Sequence, residues 1–147
     1  MVKFEVRLDG EVVAKVEVDA NLIAQIFRVE APAEIKSTPL NKSQVDELLA
    51  GLDDRQIRFC NHIAANDGWI TWGEVKQNFG VRDWDAFTDG PGREINAALQ
   101  NLVRDKSARL FWRDEKEWFG REEGENEVCK IYVDGAALAA LRQALQP

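Results

Sequence analysis

The stretch GPGREINAALQNLVRD, residues 90–105, predicts the most regular helix of the chain. Its apolar residues recur at the i, i+3, i+4, i+7 and i+8 spacing of one buried stripe: Ile95, Ala98, Leu99, Leu102 and Val103. The opposite face carries Arg93, Asn96, Ala97, Gln100, Asn101 and Arg104. We therefore expect a helix over residues 93–105 that anchors on its apolar side and presents a polar side.

Three helices are predicted before this stretch, each from a capping-box pattern. The pairs of N-cap residue and polar partner three positions later are Ser43 with Asp46, Asp53 with Gln56, and Thr71 with Glu74. Trp69-Ile70 indicates a brief extended piece between the second and third helices. Residues 81–92 are predicted as a loop or irregular turn, long enough for an extra half-turn at residues 84–87.

Two strands and a last helix are predicted after the stretch. Residues 108–112 and 128–133 are rich in apolar and β-branched or aromatic side chains, which is typical of strands. A charged stretch with Gly120 and Gly124 separates them. Asp134 then stands at the N-cap position of a final amphipathic helix.

The N-terminus follows a different pattern, because apolar and charged residues alternate at the period of a half-buried strand. Residues 4–8 and 12–18 alternate in this way on either side of Asp9-Gly10, a pair that favours a tight hairpin turn. Asp19 is placed to cap a short helix that follows. Residues 31–42 carry Pro32 and Pro39 and lose all periodicity, which is typical of a linker.

The order of elements from about residue 53 onward resembles a winged helix-turn-helix. The resemblance depends on helices at residues 57–65, 71–79 and 93–105 and on the two strands as the wing. The phrase GWITWGEV, residues 68–75, is similar to the segment that leads such domains into their second helix, and the Gly-Pro-Gly-Arg start is loosely similar to small bacterial winged-helix proteins. The predicted fold class is α+β: a strand-strand-helix unit at residues 1–30, a linker at 31–42, and a winged-helix domain with a leading helix at 43–147.

The resemblance implies that the helix over residues 93–105 enters the major groove of double-stranded DNA in a regulatory, transcription-type factor. From residue 93 to residue 113 there are five basic and two acidic residues, a local charge of +3. Arginine bonds guanine, and asparagine or glutamine bonds adenine, through paired contacts to base edges. We expect base contacts from Arg93, Asn96, Gln100 and Asn101, and phosphate contacts from Arg104, Lys106 and Arg109.

The predicted wing loop, residues 114–127, holds seven acidic and two basic residues, a local charge of −5 that phosphates would repel. DNA contact would therefore come from the helix and the strand starts without the wing tip. The alternative is an adaptor whose winged helix binds protein. Within this loop Trp118 and Phe119 form a candidate protein-interaction site, unless they dock back on the domain.

Composition limits the remaining classes. The chain has 147 residues, a net charge of −7, two cysteines and one histidine, which suggest neither a disulfide framework nor a metal site. No apolar run reaches the roughly 18 residues of a membrane span, and there is no signal-peptide layout, so a cytoplasmic protein is expected. Without a phosphate loop or a nucleophile motif we expect no enzyme activity and no cofactor.

The N-terminal hairpin has an open strand edge. Two alternatives remain for it: it forms a homodimer through this edge, or it caps its own domain.

Overall fold

A computed structural model of the protein describes residues 2–8, 11–18 and 34–146. The chain divides into two compact units, Met1–Glu34 and Ile35–Pro147. In the first unit, β1 (Val2–Leu8) pairs antiparallel with β2 (Glu11–Val18), with a register irregularity at Val6/Arg7. The predicted turn at residues 9–10 and the short helix after residue 19 lie outside the described residues.

The second unit combines helices with a small antiparallel sheet, so the fold is α+β. Its helices are α1 (Lys42–Ala50), α2 (Asp54–Ala65), α3 (Trp72–Phe79), α4 (Trp84–Asp89), α5 (Pro91–Val103), α6 (Glu115–Trp118) and α7 (Gly135–Leu145). Its strands are β3 (Trp69–Thr71), β4 (Trp112–Arg113) and β5 (Lys130–Tyr132), and a 3₁₀ turn spans Glu125–Val128. None of the helices in the described part of the chain has the length and apolar character to cross a bilayer.

Capping signals placed most helix starts correctly. Asp53 and Thr71 are confirmed as N-caps, each in a complete capping box with the residue three positions on. The start predicted at Ser43 is wrong by two residues: Asn41 is the N-cap of α1, and its side chain exchanges hydrogen bonds with Gln44. Residues 84–89, expected in a loop with room for a half-turn, form the short helix α4, because Asp83 caps it by accepting from the Ala86 N–H.

The sheet has the order β3-β5-β4, with β5 in the centre. Trp69 and Trp112 both lie opposite Tyr132 in the two ladders. The strand predicted at residues 108–112 is largely wrong, since β4 contains only Trp112–Arg113. The backbone of residues 108–110 does not join the ladder because helix side chains and residues 37–38 bind it instead.

The core lies between the sheet and the helices and is strongly aromatic. Phe59, Trp72 and Phe87 are fully buried, and Phe87 lies within 6 Å of the rings of both others. Ile95 and Leu99 of α5 are also fully buried. Cys60 and Cys129 are free buried thiols, and burial raises the pKa of Cys60 to about 12, so this thiol stays protonated and packs as a small apolar side chain.

Residues 35–42, which the sequence analysis assigned to the linker, belong to the second unit. Ser37 is buried, and its hydroxyl donates to the Leu110 carbonyl at 2.6 Å. The Asp134 carboxylate accepts from the backbone N–H groups of Lys36 and Ser37, at 3.2 and 2.8 Å, and not from the helix that it precedes. Burial raises the pKa of Asp134, and the hydrogen-bond donors of Ser37, Lys36 and Trp112 near its carboxylate together lower it by more, so the net pKa lies below its usual value.

Candidate nucleic-acid interface

Helix α5 packs closely against the core at its first turn. Pro91 occupies the start of the helix, where no N–H is needed. A Cβ on Gly92 would lie 3.0 Å from the Phe87 carbonyl oxygen and 3.1 Å from the Phe111 ring, so a larger residue would require these neighbours to shift. Ile95 is buried as well, so the inner side of α5 packs closely on the core.

Five residues from the start of α5 to its C-cap are exposed to solvent. One is Glu94, whose carboxylate accepts from Gln56 Nε2 of α2 at 2.8 Å. We call the other four the α5 face: Arg93, Ala97, Asn101 and Arg104. Arg93, Ala97 and Asn101 follow one another at i, i+4 and i+8, which places them in one row. Arg104 lies just past the helix, as its C-cap residue. Neither Arg93 nor Arg104 makes an ion pair or a side-chain hydrogen bond with any residue of 34–146. Asn101 lies at the end of the row, where it lines a groove of about 280 Å³ with Glu47 of α1.

The helix pattern placed Asn96 and Gln100 on the outward, solvent-exposed face of α5, and the structure differs. Both are half-buried, and both amides bind the backbone of the following segment. Asn96 Oδ1 accepts from the Leu110 N–H at 3.1 Å, and Gln100 Nε2 donates to the Ala108 carbonyl at 3.1 Å. These amides therefore hold residues 108–110 against α5. Their hydrogen bonds use backbone groups that would otherwise pair with a neighbouring strand.

A groove of about 420 Å³ lies beside the α5 face. It is lined by Thr88, Gly92, Arg93, Asn96, Ala97, Gln100 and Phe111. No residue of the acidic stretch lines this groove, so the α5 face stays open on this side.

The other predicted phosphate contacts lie just past the end of α5. Lys106 is exposed in a turn where Asp105 accepts from both the N–H and the hydroxyl of Ser107. These two hydrogen bonds hold the pKa of Asp105 below its usual value, so the turn keeps one negative charge. Arg109 is exposed, and its Nε donates to the Lys36 carbonyl at 3.0 Å, which orients the guanidinium.

The acidic segment, residues 114–127, folds back on the domain instead of extending as a wing. Trp118 is 6% exposed and packs 5.1 Å from Trp84 and 5.8 Å from Trp72 between ring centroids. Glu117 accepts from the Lys130 N–H and from the Tyr132 hydroxyl. Of the two candidate interaction residues, Trp118 is therefore docked on the domain, whereas Phe119 is 88% exposed.

Further acids of this segment are used in ion pairs with α3. Lys76 Nζ lies 2.8 Å from Glu127 Oε1 and 3.5 Å from Glu123 Oε2. The hydrogen bond to Glu127 is the main cause that raises the pKa of Lys76 above its usual value. Lys76 thus offsets one negative charge of the acidic segment, on the α3 side.

Other chemistry-bearing groups do not assemble into a site. His62 Nε2 lies 2.7 Å from Glu74 Oε2 in an open polar groove between α2 and α3. Among residues 2–8, 11–18 and 34–146, no group of three or more metal-ligating side chains comes together.

Sequence reasoning missed three basic residues near β4: Lys36, Arg113 and Lys116. Lys36 stood in the predicted linker, and the other two stood at the start of the acidic stretch. The signal that could have indicated them is the pair of tryptophans nearby, since a cation stacks favourably on an indole ring. Lys36 Nζ lies 4.4 Å from the Trp112 ring centroid, and the Arg113 guanidinium lies 4.4 Å from that of Trp84.

No family model, no curated protein and no solved structure matches the chain.

Proposed function

We propose that the second unit is a winged-helix domain that binds double-stranded DNA in a regulatory role, with α5 in the major groove. The observation that supports this proposal is the α5 face, where Arg93 and Arg104 are exposed and have no ion pair among residues 34–146. This face does not include the acidic segment, which folds back on the domain. A protein of net charge −7 binds a polyanion only where such a local basic surface is free.

The topology supports this proposal. After α1, the second unit runs α2, β3, α3, α4, α5, β4, α6, a 3₁₀ turn, β5 and α7, and the sheet order β3-β5-β4 brings the first and second strands to either side of the third. The part from α2 to β5 has the succession of a winged helix-turn-helix, apart from the additional helix α4 and the helical turns between β4 and β5. In that fold the helix equivalent to α5 enters the major groove.

The α5 face provides the side chains that such contact requires. Arg93 has a free guanidinium that can donate two parallel hydrogen bonds to a guanine edge. Ala97 is small, so a base edge can approach the helix next to Arg93. Asn101 can bond a base at the end of the row, whereas Asn96 and Gln100 act mainly by holding α5 and residues 108–110 together. Arg104, Lys106 and Arg109 contact phosphates.

The backbone at Arg104 supports a role for its charge. Arg104 ends α5 in the left-handed conformation, with φ of 55°. Helices favour glycine at this position, because a side chain there costs about 1 kcal/mol. An arginine at a position that favours glycine is consistent with a functional role for its positive charge, separate from any role in folding.

The experiment is a duplex titration at several salt concentrations with two matched variants. Arg104→Ala removes one phosphate contact, so we expect the slope of log K against log salt to become less steep by about one unit. Arg58→Ala is the control, because Arg58 is exposed in the α2–α3 groove and does not line the α5 groove. Equal slopes for Arg104→Ala, Arg58→Ala and the parent protein would overturn the proposal.

A protein-interaction role is the second candidate, and the exposure of Phe119 favours it. An aromatic side chain that is 88% exposed among charged residues is typical of a protein interface. The duplex titration separates the two candidates, since an adaptor gives no duplex binding at about 50 mM salt, where phosphate contacts are strong.

A further inference from the structure

We propose that a second basic cleft, on the β4 side of α5, holds the phosphodiester backbone of the bound duplex. This inference rests on the proposed function and adds a contact surface to it. The cleft measures about 440 Å³, and its basic and aromatic lining residues are Lys36, Arg109, Arg113, Lys116, Trp84 and Trp112. We call it the Lys36 cleft.

The charge balance of the Lys36 cleft favours an anion. Two acidic residues, Asp114 and Glu115, also line it. Glu115 is paired with Arg113, whose Nε lies 3.0 Å from Glu115 Oε1, and Asp114 accepts from the Lys116 N–H at the start of α6. The three other cations, on Lys36, Arg109 and Lys116, have no ion pair with any residue of 34–146. With four basic and two acidic lining residues, the cleft has a net charge of +2.

Lys36 and Arg109 are held in fixed positions relative to each other. Arg109 Nε donates to the Lys36 carbonyl at 3.0 Å, and Thr38 binds both the N–H and the carbonyl of Arg109, at 2.9 and 2.8 Å. The Lys36 ammonium lies over Trp112, whose ring stacks on Tyr132 at 4.7 Å. Two cations that are pre-positioned in this way lose little conformational freedom when they bind an anion.

The Lys36 cleft is continuous with the α5 face through residues 108–110. On one side of this segment, Asn96 and Gln100 of α5 bind its backbone. On the other side, residues 37 and 38 bind it, through the Leu110 carbonyl and both backbone groups of Arg109. One strand of backbone therefore separates α5 from Lys36, so a duplex seated on α5 brings its flanking phosphates to this cleft.

The form of the cleft favours a polymer backbone over a small enclosed anion. It is open, its unpaired cations lie on separate elements, and two of them are lysines, whose ammonium groups act as point charges towards phosphate. Such an arrangement neutralises successive phosphates without reading bases. The segment 36–38 and the start of α6 thereby replace the wing tip, whose acids lie against α3.

The test compares salt slopes of duplex binding for Lys36→Ala, Lys116→Ala and the double variant. Each single variant should reduce the steepness of log K against log salt by about 0.9, and the double variant by about 1.8, equally for unrelated duplex sequences. Lys42→Ala is the matched control, because Lys42 is an exposed lysine already paired with Asp46 at 2.8 Å. Thermal unfolding of each variant checks that the fold is kept.

The outcomes separate this inference from the proposed function. If the double variant keeps the parent slope while Arg104→Ala reduces it, the Lys36 cleft does not contact the duplex and the α5 proposal stands. If the parent protein binds no duplex, both proposals are wrong. If inorganic phosphate competes with the duplex more strongly than chloride at equal ionic strength, and only in proteins that retain Lys36 and Lys116, the cleft is a site for free phosphate and the inference is overturned.

Discussion

The α5 face and the acidic segment differ in what folding does to their charges. The sequence gives residues 93–113 a charge of +3 and residues 114–127 a charge of −5, so the acidic segment looks dominant. In the structure, Arg93 and Arg104 have no partner among residues 34–146, whereas Glu117, Glu123 and Glu127 all bind groups of the domain. A charge count along the sequence therefore does not show which acids of a segment are turned towards the domain by its packing.

The largest effect on stability is expected when the acidic segment is detached from the domain. Trp118→Ala removes a buried ring that contacts Trp72 and Trp84, and large aromatic deletions of this kind cost about 3–5 kcal/mol. We expect that loss in the free energy of unfolding, measured by urea denaturation. Phe119→Ala is the neighbouring control, and because its ring is 88% exposed its cost should stay within about 0.5 kcal/mol. Similar losses for both variants would show that the segment does not pack as described.

A smaller effect is expected from Glu117, which ties the acidic segment to β5. Glu117→Ala leaves the Lys130 N–H and the Tyr132 hydroxyl without their acceptor, and an unsatisfied buried group costs about 1–3 kcal/mol. Glu122→Ala removes an exposed acid and should cost less than about 0.5 kcal/mol. Equal stabilities of the two variants would mean that Glu117 is as free as its neighbour.

The same contact predicts an alkaline pH dependence. Burial, and then the hydrogen bond to Glu117 and its charge, raise the pKa of Tyr132, the only tyrosine of the chain, above its usual value of about 10. Folding therefore favours the neutral phenol, and this contribution is complete below pH of about 10 and is lost as the pH rises towards the folded-state pKa. Absorbance titration of the phenol should show a lower pKa in Glu117→Gln than in the parent, and an unchanged pKa would contradict the contact.

The smallest effect on stability is expected at the α5 face. Arg104→Gly relieves the left-handed backbone at the end of α5, so the free energy of unfolding should rise by about 0.5–1 kcal/mol. The same variant should bind duplex more weakly, because it lacks a phosphate contact. A gain in stability with unchanged duplex affinity would show that the α5 face does not use Arg104.

Much of the local structure could be predicted from the sequence, because it is encoded by neighbouring residues. The capping boxes at Asp53 and Thr71 and the apolar stripe of α5 each depend on contacts within one helix turn or one helix face. The buried positions of Ile95 and Leu99 followed directly from that stripe.

Long-range contacts explain what the sequence did not indicate. The short length of β4 depends on Asn96, Gln100 and residues 37–38, which take over backbone groups that a strand would use. Lys36 entered the candidate site only because Ser37 and Asp134, 97 positions apart, hydrogen-bond to each other. For the site, helical spacing identified Arg93 and Arg104 as outward-facing, but it gave no sign that the amides between them bind backbone.

The most direct test of the central claim, that the α5 face is free to bind DNA, is the salt dependence of duplex binding by the unmodified protein. Between about 50 and about 200 mM salt, log K should fall linearly with log salt. The slope should be near −2.7 if only Arg104, Lys106 and Arg109 contact phosphates, and near about −4.5 if the Lys36 cleft contributes two more contacts. Absence of binding at about 50 mM salt, or a slope near zero, would contradict the account.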